Sequence, residues 1–130
     1  MFLNCETDYA IRIVACLAQN GEKLDAGKIS ELTGVTQRYC LKILHKLTRG
    51  GIVKSFKGAK GGYVLTKEPE EITLYDVISL ISGPVSFSRC QKEGTVCTHP
   101  EGACYFRGTF EQVSSYAEKL FKEATFSRRR

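Results

Sequence analysis

The stretch from Asp25 to Gly50 is the part of the sequence that most constrains the fold. It holds two helical patterns, LDAGKISELTGV and TQRYCLKILHKLTRG, separated by a short turn that contains Gly34. Asp25 and Thr36 are suited to capping the two helices, and Gly34 and Gly50 to ending them. A helix, a short turn and a second helix make a helix-turn-helix motif, which the sequence therefore predicts here.

The second helix of this motif has two chemically different faces. Four apolar residues recur at helical spacing and predict a buried stripe: Cys40, Ile43, Leu44 and Leu47. At about 100° per residue, the opposite side carries Arg38, Lys42, His45 and Arg49. The whole chain has a formal net charge of only +5, yet residues 28–60 hold eight Lys or Arg against one acid, Glu31. The positive charge is therefore concentrated on and around this helix.

Two short strand patterns follow the motif directly. IVKSF (52–56) and GYVLT (62–66) are joined by KGAKG, which predicts a β-hairpin whose tip carries Lys57 and Lys60 among glycines. A helix-turn-helix followed by such a hairpin is a winged helix. Pro69 is expected to close this unit.

A further helix is predicted on each side of the winged motif. The first has Thr7 as its expected cap and runs to Gly21. The other runs from residue 73 to Gly83, and its apolar residues are Leu74, Val77, Ile78 and Ile81. We therefore predict a mainly α-helical fold with a small β-hairpin wing, and assign residues 1–83 to a winged helix-turn-helix domain.

The charge pattern indicates a nucleic-acid partner, double-stranded promoter DNA. Cations held on a rigid helix neutralise phosphates, and a helix fits the major groove of duplex DNA. Residues at the start of the helix are placed to reach base edges, and lysines on the helix and the hairpin to contact phosphates. The predicted DNA-binding residues are Lys28, Thr36, Gln37, Arg38, Tyr39, Lys42, His45, Lys57 and Lys60. The alternative is a solvated basic face without a partner.

Three cysteines lie at even intervals in a polar segment that also contains glycine and proline. Six residues separate Cys90 from Cys97, and six more separate Cys97 from Cys104. Soft thiolates suit iron–sulfur clusters and zinc, and the glycines and proline supply the turns that bring three sulfurs round one centre. We therefore predict a cluster-binding loop over residues 84–105, which holds a [2Fe–2S] or [4Fe–4S] cluster. A zinc site of the three cysteines with His99, and unliganded or disulfide-forming thiols, stay open as alternatives.

The last helical pattern carries an apolar seam. Its positions alternate steps of four and three residues: Phe106, Phe110, Val113, Ala117, Leu120 and Ala124. The apolar face of this helix is too narrow to make the helix stable alone. A seam of this kind therefore predicts contact with a second copy. Residues 106–130 are therefore assigned to a dimerisation helix with a basic tail. Packing of the seam against the helix's own domain is the alternative.

Four stretches of the sequence resemble one known family. They are TDYAIR, KISELTGVTQRYCLKIL, GAKGGYVL, and the three cysteines ahead of the long last helix. In these features the chain resembles the Rrf-two (Rrf2) family of bacterial winged-helix transcription regulators over nearly its whole length. The resemblance implies a homodimeric regulator, expected to be a repressor, whose cysteines hold an iron–sulfur cluster that senses iron–sulfur status, redox state or nitric oxide. Other members of the family have neither the three cysteines nor a cluster.

The resemblance also bears on the fourth ligand. IscR-like members carry a histidine three residues after the last cysteine, where this chain has Arg107, which stays protonated and cannot ligate. NsrR-like members use an aspartate near the start of the first helix, contributed by the other subunit, and Asp8 stands in that place. The implied metal ligands are therefore Cys90, Cys97, Cys104 and Asp8. As an alternative role, Asp8 can pair with Arg12 and stabilise the helix dipole. His99 and Glu6 are lesser ligand candidates.

Other classes of function fit the sequence less well. No apolar run is long enough to span a bilayer and the first residues lack a secretory signal, so we expect no membrane partner and a cytoplasmic location. An electron carrier or thiol enzyme would need a close cysteine pair or a set of nucleophile and base. The sequence shows neither pattern, and we therefore do not expect an enzyme. A regulator without a cluster, acting through thiol oxidation, zinc or a partner protein, is the main alternative. Cys16 and Cys40 lie on apolar helix faces and are expected in the core.

Overall fold

The computed structural model describes residues 3–86 and 105–127. Its helices are α1 Cys5–Asn20, α2 Ala26–Thr33, α3 Gln37–Arg49, α4 Leu74–Ser82 and α5 Arg107–Glu123. Its strands are β1 Val53–Phe56 and β2 Gly62–Leu65, and a short 3-10 helix, Pro69–Glu71, precedes α4. Over these residues the protein is mainly α-helical with a two-stranded antiparallel hairpin, so the predicted winged helix is confirmed.

The α2–α3 pair forms the predicted helix-turn-helix. Asp25 and Thr36 each accept, through the side chain, a hydrogen bond from the backbone N–H three residues on, at 2.7 and 3.3 Å. Gly34 has a φ of 76°, a left-handed conformation that ends α2 and that other residues adopt with difficulty. Ser30 Oγ donates to the Val35 carbonyl at 2.6 Å and fastens the turn to α2. The caps and the turn are those that the sequence predicts.

The wing is the antiparallel β1–β2 pair, in which Phe56 lies opposite Gly62. The backbone of Leu24, ahead of α2, pairs with Tyr63 through hydrogen bonds of 3.2 and 2.8 Å. A Cβ at Gly62 would lie 2.9 Å from the Leu24 carbonyl oxygen, so glycine is needed for this close approach. The pairing anchors the loop end of β2 to the segment ahead of α2.

The start of α1 differs from the prediction. The cap is Asn4, whose Oδ1 accepts from the Thr7 N–H at 2.8 Å, and the helix begins at Cys5. Thr7 is fully buried inside the helix, and its hydroxyl bonds to Asn4 Oδ1 at 2.9 Å and to Ser82 Oγ of α4. The prediction of Thr7 as the cap is wrong because Asn4 serves equally well as a cap and Thr7 is required for the contact between helices.

The core lies where α1, α2, α3 and α4 meet the base of the hairpin. Its largest fully buried side chains include Ile13, Ile29, Ile43, Leu44, Leu47 and Ile78. The cap of α4 is reciprocal: the Asp76 N–H donates to Thr73 Oγ1 at 3.1 Å, and the Thr73 N–H donates to Asp76 Oδ2 at 2.9 Å. This capping box explains why α4 starts where the sequence predicts.

The C-terminal end of α5 returns to the segment before α4. The Leu74 N–H donates to the Ala124 carbonyl at 2.8 Å, and the Phe126 N–H donates to the Ile72 carbonyl at 3.1 Å. Phe126 is buried in the core, with 9% of its surface exposed. These bonds hold α5 against α4.

In the part of the chain that the structure describes, no helix is both long and apolar enough to cross a membrane. The predicted cluster loop and the basic tail lie almost entirely outside the described residues. The division of the chain at residues 83 and 105 stays a prediction.

Candidate nucleic-acid interface

The two faces of α3 differ as the sequence predicts. Each member of the apolar stripe is 0% exposed: Cys40, Ile43, Leu44 and Leu47. Side chains on the remaining surface are exposed: Gln37, Arg38, Tyr39, Leu41, Lys42, His45 and Arg49. Because the core fixes one face of the helix, the exposed face is presented in a defined orientation.

The N-terminal turn of α3 combines an aromatic ring with cations. Tyr39 is 45% exposed, and its ring meets that of Tyr9 on α1 edge to face, with centroids 5.5 Å apart and planes at 71°. The Lys42 ammonium lies 5.9 Å from the Tyr39 centroid. Arg38, Tyr39 and Lys42 line a shallow depression of about 320 Å³. The sequence did not reveal Tyr9, because its contact joins two helices that lie far apart along the chain.

Lys46 and Lys28 both form ion pairs, but the two pairs differ in exposure to solvent. The Lys46 ammonium pairs with the carboxylate of Glu6 on α1, and the Glu6 side chain is only 23% exposed. Lys46 therefore fastens α3 to α1. Lys28 lies 3.8 Å from Glu31, but the two side chains are 50% and 72% exposed, so water screens this pair. Lys28 stays available to a phosphate, whereas Lys46 is already neutralised.

The hairpin is the second cationic element. Lys57 and Lys60 are exposed between β1 and β2. Phe56 is 41% exposed, and its centroid lies 4.7 Å from the Lys23 ammonium and 5.3 Å from that of Lys54. Lys23 adds a cation to the wing that the sequence did not reveal, because it precedes α2 and reaches the hairpin only through the backbone pairing described above.

Among the implied metal ligands, Asp8 belongs to the described residues. The three cysteines of the predicted cluster loop and His99 lie outside them. Asp8 lies in the first turn of α1 with its side chain 48% exposed, and its Oδ2 is 3.0 Å from the Arg12 guanidinium. Glu6 is engaged in the ion pair with α3. No group of three or more His, Cys, Asp or Glu that could hold a metal ion occurs within residues 3–86 and 105–127.

The remaining cysteines differ in exposure. Cys40 is fully buried, with its thiol 3.6 Å from the Val35 carbonyl oxygen, and Cys16 lies half-buried at the edge of the core. Burial raises the pKa of both thiols, although at Cys40 a hydrogen bond from Thr33 acts in the opposite direction. Both therefore stay protonated at neutral pH, as packing residues should. Cys5 is exposed and is the first residue of α1, whereas a cap at Thr7 would have placed it ahead of the helix.

The apolar seam of the last helix is covered only in part. Four of its side chains are exposed: Phe106, Val113, Leu120 and Ala124. The other two, Phe110 and Ala117, are half-buried. Phe106, Val113 and Leu120 expose 64%, 43% and 45% of their surface. Within the described residues the seam is therefore covered only in part, at Phe110 and Ala117.

Comparison with known proteins agrees with this architecture. A family model described as Rrf2, iron-dependent transcriptional regulator, matches residues 3–128. The chain is 29% identical to the HTH-type transcriptional regulator NsrR of Shouchella clausii, over 92% of this chain and 83% of that protein. It is 32% identical to the HTH-type transcriptional regulator IscR of Escherichia coli O1:K1 / APEC, over 72% of this chain and 59% of that protein.

A solved structure gives the same fold. CymR, the global cysteine regulator of Bacillus subtilis, superposes with a TM-score of 0.80 at 23% identity, over 97% of this chain and 93% of that one. At this identity the likeness supports the fold alone. The family and the relatives are transcriptional regulators, so the expectation that the chain is not an enzyme is confirmed. The chain belongs to the Rrf2 family of transcriptional regulators.

Proposed function

We propose that this regulator is a homodimeric repressor that binds promoter DNA through α3 and the hairpin. In this proposal an iron–sulfur cluster, held by Cys90, Cys97, Cys104 and Asp8, controls the binding. The observation that carries the DNA-binding part is the contrast between the buried apolar face of α3 and its exposed face, which carries Arg38, Lys42 and Arg49.

The roles of the DNA-binding residues follow from their positions. Gln37, Arg38 and Tyr39 lie in the first turn of α3, the part of a recognition helix that contacts base edges in the major groove. Thr36 caps the helix and thereby fixes the direction of that turn. The other predicted residues are assigned to the DNA backbone: Lys28, Lys42, His45, Lys57 and Lys60.

The ligand chemistry fits an iron–sulfur cluster. Thiolates are the usual protein ligands of such clusters. Asp8 fits the fourth position because its half-exposed carboxylate is held by a single exposed ion pair in the described residues, which costs little to break. A bound cluster would supply a reaction centre for oxidants or nitric oxide, and an oxygen ligand is held more weakly by soft iron than a thiolate is. The likeness to NsrR and the iron-dependent family support this assignment.

Asp8 lies where several helices meet, which suits a controlling residue. Glu6, two residues before it, pairs with Lys46 on α3, and its neighbour Thr7 bonds to Ser82 on α4. A change at Asp8 therefore occurs within two residues of contacts with both the recognition helix and the helix that supports α5. The exposed seam of α5 supports a second copy as the partner that covers it.

A second candidate is a regulator that responds through thiols without a cluster. The exposed thiol of Cys5 favours it. A zinc site formed by the three cysteines and His99 would also give a cluster-free regulator.

Preparation without oxygen separates these candidates. Protein purified anaerobically is expected to be brown and to contain iron and acid-labile sulfide. Cys97→Ala is expected to remove the colour and the iron. Cys5→Ala is the matched control, because it removes an exposed thiol outside the implied ligand set. Colourless wild-type protein with stoichiometric zinc would contradict the cluster.

The assignment of α3 is tested with a duplex that the wild-type protein selects from a random-sequence library. Arg38→Gln is expected to weaken binding to this duplex by about 1–3 kcal/mol, as loss of a base contact does. Lys119→Gln removes an exposed cation from α5 and is expected to leave the affinity unchanged. Equal affinities of the Arg38 variant and the wild type would contradict the assignment.

A further inference from the structure

A ring contact joins α1 to the recognition helix. Tyr9 is half-buried and packs against the core, and its ring meets that of Tyr39 edge to face at 5.5 Å. In this geometry the positive edge of one ring lies against the negative face of the other. The orientation of Tyr39, a predicted base contact, therefore depends on the position of Tyr9.

Charged groups extend this contact at both ends. The Arg12 guanidinium lies 5.9 Å from the Tyr9 centroid and 3.0 Å from the Asp8 carboxylate. The Lys42 ammonium lies 5.9 Å from the Tyr39 centroid. One continuous series of side chains thus connects an implied metal ligand with a predicted phosphate contact: Asp8, Arg12, Tyr9, Tyr39 and Lys42.

The surroundings of this series are fixed. Thr7 and Ala10, which flank Asp8 and Tyr9 in α1, are 0% exposed, and Thr7 is bonded to α4. Arg12, in contrast, is 53% exposed and can change its orientation at little cost. Release of the Asp8 carboxylate therefore affects Arg12 and the Tyr9 ring before it affects the core.

We propose that Tyr9 is a positioning residue that couples the state of Asp8 to the orientation of Tyr39 on the recognition helix. This inference rests on the proposed function, since it requires Asp8 as the fourth ligand. Ligation by Asp8 would share the charge of its carboxylate with the metal and weaken the ion pair with Arg12, so that Arg12 would shift relative to the Tyr9 ring. A cation near the face of a ring is attracted to that face, so the Tyr9 ring adjusts and Tyr39 follows.

The coupling is measured as a ratio of two dissociation constants for the selected duplex. One is for protein reconstituted with ferrous iron and sulfide, and the other is for protein stripped of metal. The wild type is expected to show a ratio of about 5 to 150, the usual range of allosteric coupling. Tyr9→Leu is expected to lower the ratio by about two- to tenfold, the value of an aromatic pair, without loss of iron or sulfide. Tyr9→Phe keeps the ring and is expected to retain the wild-type ratio.

Tyr75→Leu is the matched control for this measurement. Tyr75 is also half-buried and also lies near a lysine ammonium, that of Lys122 at 4.7 Å, but it belongs to α4. A wild-type ratio of one would overturn the proposed function together with this inference. A clear wild-type ratio that Tyr9→Leu leaves unchanged, or lowers no more than Tyr75→Leu does, would overturn the inference and leave the proposed function standing.

A second measurement needs no metal. In the metal-free protein, Asp8→Asn removes the charge that holds Arg12 and is expected to shift the NMR signals of the Tyr39 ring protons. In the Tyr9→Leu background, the same substitution is expected to leave the Tyr39 signals in place. Signals that do not respond to Asp8→Asn, or that respond equally in both backgrounds, would overturn the coupling through Tyr9.

Discussion

At the scale of single residues, the side chain of Thr7 joins α1 to α4 through a buried hydroxyl. It bonds to Asn4, the cap of α1, and to Ser82 on α4. Both partners are exposed, so water can replace the bonds they lose. We therefore expect Thr7→Val, which keeps the shape of the side chain, to lower the free energy of unfolding by about 0.5–1.5 kcal/mol, the net contribution of a typical hydrogen bond. Urea denaturation measures this change. The same loss in a Ser82→Ala background would show that the bond between the helices is not its cause.

The thiols of Cys40 and Cys5 should differ in reactivity. Burial raises the pKa of Cys40 from its ordinary value of 9.0, so the folded protein holds that thiol protonated over a wider pH range than the unfolded chain does. Stability from this residue is therefore complete below pH 9.0 and falls as the pH rises toward the folded pKa. At pH near 8, iodoacetamide is expected to label the exposed Cys5 first and Cys40 only after denaturation. Peptide mass spectrometry follows both sites, and equal labelling rates would contradict the burial of Cys40.

At the scale of the elements, the turn of the helix-turn-helix depends on one backbone conformation. Gly34 has a φ of 76° with open space around its missing Cβ, so a substitution there is limited by backbone strain and not by contacts. We expect Gly34→Ala to cost about 1–2 kcal/mol, the penalty of a left-handed residue. Gly34→Asn should cost less, because asparagine tolerates this conformation. Thermal denaturation compares the two variants, and equal losses would argue against strain as the cause.

The same elements show how far a sequence predicts a fold. Caps such as Asp25 and Thr36 and the stripe of α3 are local signals, and they were sufficient for the helices and the wing. The contacts between Glu6 and Lys46 and between Tyr9 and Tyr39 join residues far apart along the chain. No local pattern reports such pairs, because their geometry arises only when the helices pack. The predicted start of α1 was wrong for the same reason, because the bond from Thr7 to Ser82 of α4 exists only when the two helices pack.

At the scale of the whole molecule, the exposed seam of α5 predicts a dimer. Val113→Glu places a charge on the seam, where a second copy would have to bury it, and is expected to shift the protein toward monomer in analytical ultracentrifugation. Gln112→Glu introduces the same charge one residue away, on an exposed position outside the seam, and should leave the dimer intact. Dissociation by both variants, or by neither, would contradict the seam as the dimer contact.

One part of the candidate site, its exposed cations, could be predicted from the sequence, whereas the role of Asp8 could not. The exposed cations of α3 and the hairpin follow from helical periodicity and charge, and the structure presents them as expected. The proposed role of Asp8 as a ligand depends instead on cysteines elsewhere in the chain and on a second copy. Asp8 can act as a metal ligand or as the ion-pair partner of Arg12 in the first turn of α1. The observed ion pair is compatible with both roles, since an exposed pair contributes little to stability and costs little to break.

Footprinting on the selected duplex tests most directly whether the proposed iron–sulfur cluster controls DNA binding. Protein reconstituted with iron and sulfide is compared with the same protein stripped of metal, over a range of protein concentrations. The account predicts that the concentration needed for half protection differs between the two forms by at least about fivefold. Identical protection at equal concentrations in both forms would contradict it.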